Sequence, residues 1–191
     1  MTDTATAAVP DTASAAAPDN TPAAAPYITP AAVPAAAPGT ALARSVIAMV
    51  DHVLSLAATW TAWDGTPARA DGRDHTPHKA IRRVADHLVD HLAELESRLA
   101  GAEPQPDHWH ASAITTAADL APFTAEDLDE ARSRLTRLAR IWAHRLDTLT
   151  GEQLDASPGE GWSFRELAHH LIESTYYADA VGDLSRQPCR S

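Results

Sequence analysis

Histidine is the residue type best able to carry out chemistry in this chain, which has ten histidines and one cysteine among its 191 residues. His87 and His91 are four residues apart, so on a helix their imidazoles lie on one face, about 6 Å from each other. Two imidazoles at this spacing can hold one metal ion, and nitrogen ligands suit zinc, nickel or iron(II). Two histidines at the edge of a core have the same spacing without a metal, so the pair becomes specific only with a third ligand.

A later helical segment supplies the third candidate. The row of helical positions that passes through His170 is largely apolar, so we expect His170 to point into the core and His169 to lie nearer its edge. Burying three unpaired imidazoles would cost several kcal/mol, whereas one metal ion would satisfy all three. The helical phase therefore predicts a metal site of His87, His91 and His170, with three satisfied core histidines as the alternative.

Carboxylates lie within one turn of these histidines. Asp86 and Asp90 could orient the imidazole N–H groups of a metal site, or could belong to a solvated helix face. Glu173 lies one turn from His170 and could act as a ligand, as an orienting group or as a base. The His-Trp-His segment at 108–110 lies on a predicted loop, which could close one end of the site or simply be packed by its tryptophan.

Composition excludes several other kinds of chemistry. Cys189 is the only cysteine, so a disulfide framework and a multi-cysteine zinc site are excluded. The chain has no Gly-rich phosphate loop, no Gly-x-Ser-x-Gly motif and no Cys-x-x-Cys motif. A net charge of −11 argues against nucleic acid or an anionic membrane as a general partner. Because no run of 18 apolar residues and no secretory leader pattern occurs, we expect no membrane span and a cytoplasmic location.

The elements that must position the histidines lie in one predicted domain. The first 40 residues contain 15 alanines and 7 prolines, a composition that predicts a disordered, partly polyproline tail over residues 1–39. Residues 40–185 form the predicted domain, and residues 186–191 a flexible end. Four amphipathic helices are predicted within the domain, at about 40–63, 76–100, 124–150 and 163–184.

Start signals support these helices. Thr76 precedes a proline at the first helical position, Thr124 precedes Asp127, and Ser163 precedes Glu166 in a capping box. We predict a polar linker over 66–75, a long loop over 102–123 and no strand. The fold class expected is all-α, an up-down four-helix bundle.

Two segments resemble the DinB-like superfamily, whose members are small metal-binding four-helix bundles. The sequence GWSFRELAHHLIES, residues 161–174, is similar to a signature in which a Trp–Ser/Thr–x–Arg–Glu start leads to an inward histidine eight residues after the tryptophan, here His170. The sequence DHLVDHL, residues 86–92, is similar to the family's His-x-x-x-His helix. The family has these helices in the opposite order, so the resemblance implies a circular permutation in which residues 102–123 join the family's usual end and start.

The resemblance implies a divalent-metal site of His87, His91 and His170 with open coordination positions. Relatives include S-transferases and isomerases that use an external thiol such as mycothiol or bacillithiol on a small-molecule substrate. The metal would lower the pKa of a bound thiol or water, with Glu173 as orienting group or base. The alternative from another class is a non-catalytic bundle that binds a small ligand or forms a homodimer.

Overall fold

Helix start signals set several of the element boundaries in the computed structural model, which describes residues 37–106 and 110–185. The Thr76 hydroxyl accepts a hydrogen bond from the Lys79 N–H, and Thr124 and Ser163 each begin a complete capping box. These three predicted helix starts are therefore confirmed. The structure does not describe residues 1–36 of the tail predicted over 1–39, nor the end predicted over 186–191.

The described residues are mostly helical. They form six α-helices, two strands and two single 3₁₀ turns, the latter at Trp60–Ala62 and Ala118–Leu120. The helices are α1 (Thr40–Ala57), α2 (Pro77–Leu99), α3 (Ala125–Thr148), α4 (Gly151–Asp155), α5 (Phe164–Glu173) and α6 (Tyr176–Val181), and the strands are β1 (Ala68–Ala70) and β2 (Arg73–His75).

The segment predicted as a polar linker over 66–75 is instead a β-hairpin, so the prediction of no strand was wrong. β1 and β2 pair antiparallel, with Ala68 opposite His75. Asp71 and Gly72 at the turn have φ values of 48° and 72°. Positive φ at both central positions is typical of a type I′ turn, and Asp-Gly is a favoured sequence for it. Three-residue strands are too short to show an alternating pattern, so the Asp71-Gly72 dipeptide is the sequence feature that indicates this hairpin.

The fourth predicted helix is also interrupted, and a turn of different geometry separates α5 from α6. The N–H groups of Ser174 and Thr175 donate to carbonyls three residues earlier, at 3.0 and 3.4 Å. This tighter, 3₁₀-like pattern breaks the i−4 ladder. The first predicted helix is likewise shorter than expected, because α1 ends at Ala57 and a 3₁₀ turn follows.

The core lies where α1 and α2 each pack against α3 and against the α5–α6 pair. One apolar face of α1 is buried in this core, including Val46 and Val53 at 0% exposure. Trp142 of α3 is also fully buried, and its indole N–H donates to the Leu88 carbonyl at 2.9 Å. This contact ties α3 to the middle of α2, between His87 and His91.

One helical segment is apolar enough to be compared with a membrane span. Within the part of the chain that the structure describes, Thr40–Ala62 alone meets the length and composition of such a span, with a mean hydropathy of 1.5. Core helices of soluble proteins have the same composition, and α1 buries eight of its residues. The segment is therefore weak evidence for a membrane span.

Candidate functional site

The three predicted metal ligands lie together where α2 faces α5. The ring centroids of His87 and His91 are 5.9 Å apart, and that of His170 lies 5.6 and 5.3 Å from them. The neighbouring His169 is exposed, as its helical phase predicts. The helical phase therefore correctly predicted which histidine of α5 lies against α2.

The cluster lies at the rim of the core, whereas the sequence predicted inward-pointing histidines. The side chain of His91 is 16% exposed and that of His170 is 31% exposed. Helical phase gives the direction of a side chain but not its depth. A partly open cluster can be reached by a small molecule, which a sealed core site cannot.

The Nδ1 atoms of the two α2 histidines in the cluster are both held by groups of the same helix. His87 Nδ1 lies 3.0 Å from the Arg83 carbonyl oxygen, and His91 Nδ1 lies 3.2 Å from Glu94 Oε2. A carbonyl or carboxylate oxygen only accepts, so each Nδ1 carries the proton and donates. In a neutral imidazole this leaves the Nε2 lone pair available for a metal, and metal-binding histidines characteristically have such a second partner.

The third imidazole has a looser arrangement of the same kind. His170 Nδ1 lies 3.7 Å from Glu173 Oε2, and the Glu173 side chain is 79% exposed. Glu173 therefore lies on the outer side of His170, where an orienting role fits better than direct ligation. Within residues 37–106 and 110–185, no hydrogen bond from another residue engages the Nε2 atom of any of the three histidines.

Burial favours the neutral form of the His87 and His170 imidazoles, the form in which a histidine binds a metal. Desolvation lowers the pKa of His87 to about 4, and the nearby Arg83 charge acts in the same direction. Burial also lowers the pKa of His170. The pKa of Glu94 is lowered mainly by its hydrogen bond with His91, so Glu94 is a carboxylate and a full acceptor.

The spacing of the rings can be compared with that of a metal site. Three imidazoles bound through Nε2 to one zinc at 2.0–2.1 Å in tetrahedral geometry would have ring centroids about 5 Å apart. The observed separations of 5.3–5.9 Å are close to this value. As the side chains stand, however, no group of three or more His, Cys, Asp or Glu in the described ranges meets the geometry of a metal site. The chemistry of the donors fits a divalent metal, and the rings must draw slightly closer to bind one.

Aromatic side chains and an open cavity surround the cluster. The Trp162 ring, 43% exposed, lies 4.4 Å from the His170 ring, and the Tyr177 ring lies 5.5 Å from the His87 ring. A cavity of about 430 Å³ opens beside His91, lined also by Asp90, Glu94 and residues 103–106. This volume is sufficient for a small-molecule ligand.

Some neighbours of the cluster differ from those predicted. Asp86 pairs with Arg83, at 3.1 Å, and not with a histidine. Glu94 takes the orienting role on His91. The sequence spacing could have indicated both interactions, because Asp86 lies three residues after Arg83 and Glu94 lies three residues after His91.

The remaining histidines are less closely related to the cluster. His108 and Trp109 of the predicted closing loop lie outside the described residues, whereas His110 is exposed. His52 contacts Asp179 at 2.6 Å on the surface, and His75 is buried against Tyr176 and Tyr177.

Comparison of the chain with protein-family models, with curated proteins and with solved structures finds no significant match.

Acid is expected to destabilise the metal-free protein through His87. Its pKa is about 4 when folded against an ordinary value of 6.5, so the unfolded chain binds more protons between these values. The contribution of His87 to the free energy of unfolding is therefore fully present above pH 6.5. It falls by up to about 3 kcal/mol as the pH drops to 4. Urea unfolding of chelator-treated protein at pH 7 and pH 4.5 measures the loss. His87→Gln should reduce the difference between the two pH values, and an unchanged difference would show that another group causes it.

Proposed function

We propose that this chain is a divalent-metal-dependent enzyme of the DinB-like type. His87, His91 and His170 would hold zinc, nickel or iron(II), and an external thiol such as mycothiol would serve an S-transferase or isomerase reaction on a small molecule. One observation carries the proposal: three imidazoles from two helices converge at 5.3–5.9 Å, with both Nδ1 atoms on α2 hydrogen-bonded to that helix.

The packing of the helices supports the four-helix bundle of this proposal. α1 and α2 each contact α3 and the α5–α6 pair, as expected when two helices face each other across a four-helix bundle. In the proposed permutation the family's first two helices correspond to α3 and α5–α6. Its last two correspond to α1 and α2. Circular permutation is compatible with a bundle because its termini and loops lie at the ends.

A bound divalent metal lowers the pKa of a thiol or water and so supplies a nucleophile near neutral pH. The chain's own residues would prepare the site for it. The Arg83 carbonyl and Glu94 hold the Nδ1 protons of His87 and His91, which fixes both ring orientations. Trp162 covers one side of His170 and limits access of water there.

Glu173 would orient His170 or act as the base. Its carboxylate lies 3.7 Å from His170 Nδ1 and is 79% exposed, so a proton that it accepts passes readily to solvent. Glu173→Gln keeps the shape of the side chain and removes its basicity. The variant therefore separates the role of base from a purely steric one.

The cobalt-loaded protein provides a test that needs no known substrate. Cobalt(II) takes the place of zinc at histidine sites, and a thiolate bound to it gives a near-ultraviolet charge-transfer band. We expect N-acetylcysteine to produce this band in the wild-type protein and in His169→Gln, but not in His91→Gln. Cobalt uptake without the band would contradict the thiol chemistry and favour the non-catalytic ligand-binding bundle. Absence of cobalt uptake would contradict the metal site itself.

A further inference from the structure

A buried arginine beside the histidine cluster has fewer hydrogen-bond partners than its donors require. The Arg83 side chain is 7% exposed, and its Nη1 atom donates to Asp86 at 3.1 Å. Among the residues that the structure describes, its Nε atom is the one buried side-chain nitrogen or oxygen without a hydrogen-bond partner. Each buried donor left unpaired costs about 1–3 kcal/mol.

The remaining Arg83 nitrogen, Nη2, faces an imidazole nitrogen. Nη2 lies 3.3 Å from His87 Nδ1, but that Nδ1 carries a proton because it donates to the Arg83 carbonyl. Two donors cannot satisfy each other. The Tyr177 ring faces the guanidinium, at 5.4 Å from its centre, and offers a π face but no lone pair in that direction. Among the described residues, the Nε and Nη2 edge of Arg83 thus lies next to His87 without an oxygen acceptor.

A second buried cation lies one helical turn before Arg83. Lys79 is 1% exposed, and its ammonium donates to the neutral Thr115 hydroxyl at 3.0 Å. In the described ranges no carboxylate lies within ion-pair distance of it; the nearby Asp119 is paired with Arg82 at 2.7 Å. Within the described ranges, Asp86 is thus the one carboxylate in ion-pair contact with either of these two cations.

Charge is therefore distributed unequally along the row that Lys79, Arg83, His87 and His91 form at four-residue intervals. The end before His87 carries the two buried cations. The end beyond His91 is acidic, because Asp90, Glu94 and Glu103 line the cavity there. A ligand bound across the histidines would be oriented by this difference, with its anionic end toward Arg83.

We propose that the guanidinium of Arg83, with the Lys79 ammonium one turn behind it, binds a carboxylate group of the molecule on which the three-histidine site acts. The planar edge of a guanidinium matches the two oxygens of a carboxylate. A carboxylate group, with its single charge, also suits a site that Asp86 already borders, since a doubly charged group at the same position would be repelled more strongly. This inference rests on the proposed function for the identity of the adjacent site and assigns the substrate class to carboxylic acids.

Calorimetric titration of succinate into the full-length protein tests the assignment, in the zinc-loaded and the metal-free forms, with neutral succinamide as the charge control. We expect Arg83→Met to weaken succinate binding at least tenfold in both forms while leaving zinc uptake unchanged. Arg82→Met is the matched control: it removes the neighbouring arginine, which is 31% exposed and faces Asp119, and should change succinate affinity less than twofold. Arg83→Lys keeps the charge but loses the planar edge. It decides the question if Arg83→Met fails to fold, and should bind succinate at least threefold more weakly than wild type.

The two proposals fail in different ways in this experiment. If zinc is not taken up but succinate binding still depends on Arg83, the carboxylate site stands and the metal-dependent function fails. If zinc is taken up but succinate binds equally to wild type and to the Arg83 variants, or binds to none of them, the carboxylate assignment is overturned. Equal binding of succinamide and succinate would overturn it as well, because the charge would then play no part.

Discussion

Replacing His170 with glutamine is expected to abolish the stabilisation that zinc gives the wild-type protein. Zinc binds the folded chain, in which the three histidines lie together, and not the unfolded chain. At a free concentration a thousand times its dissociation constant, zinc should therefore raise the free energy of unfolding by about 4 kcal/mol. For a domain of this size that corresponds to a rise of about 10 °C in the melting midpoint. With one of three ligands removed, His170→Gln should melt at the same temperature with zinc as with a chelator.

His169→Gln is the matched control for this variant. His169 is the adjacent residue on α5 and is exposed, whereas His170 contacts both histidines of α2. The His169 variant should keep the full response to zinc. If both variants kept it, or if both lost it, His170 would not be a ligand at this cluster. Differential scanning fluorimetry with and without zinc is sufficient to distinguish these results.

Gly39→Ala is expected to give the largest loss of stability away from the site. A Cβ atom at residue 39 would lie 1.7 Å from the Leu146 carbonyl oxygen and 2.5 Å from its carbon. Both are backbone atoms of α3, so no side-chain rotation relieves the overlap, and the start of α1 must move away from α3. We expect the free energy of unfolding to fall by about 3 kcal/mol or more, measured by urea denaturation.

Gly151→Ala serves as the control for the general effect of replacing glycine. A Cβ at residue 151 meets only a side-chain carbon of Pro38, at 3.9 Å, which is an ordinary contact. Because alanine restricts the unfolded chain, this variant should be neutral or more stable by up to about 1 kcal/mol. Equal losses in the two variants would show that the close approach of Gly39 to Leu146 is not what limits stability.

The face of its own helix on which each histidine lies could be predicted, because it depends on helical geometry alone. The spacing of His87 and His91 fixes a shared face, and the apolar row through His170 gives its direction. The capping pairs at Thr124 and Ser163 fixed two helix starts for a similarly local reason. Each of these features is determined by residues within two turns of one another.

Features that depend on contacts between distant segments were missed. The hairpin at 68–75 is held in part by the Tyr176 hydroxyl, which donates to Asp71 from 105 residues away. The turn between α5 and α6 brings the Ser174 hydroxyl to Met49 of α1, at 3.7 Å. The unpaired edge of Arg83 depends on the tautomer of His87 and on the burial of both, and neither property follows from spacing.

The metal content of full-length protein prepared without an affinity tag tests the central claim most directly. After equilibration with equimolar zinc and removal of unbound metal, we expect about one zinc per wild-type chain and a large loss in His170→Ala. A content below about 0.2 zinc per wild-type chain, or one that His170→Ala leaves unchanged, would contradict a metal site at His87, His91 and His170.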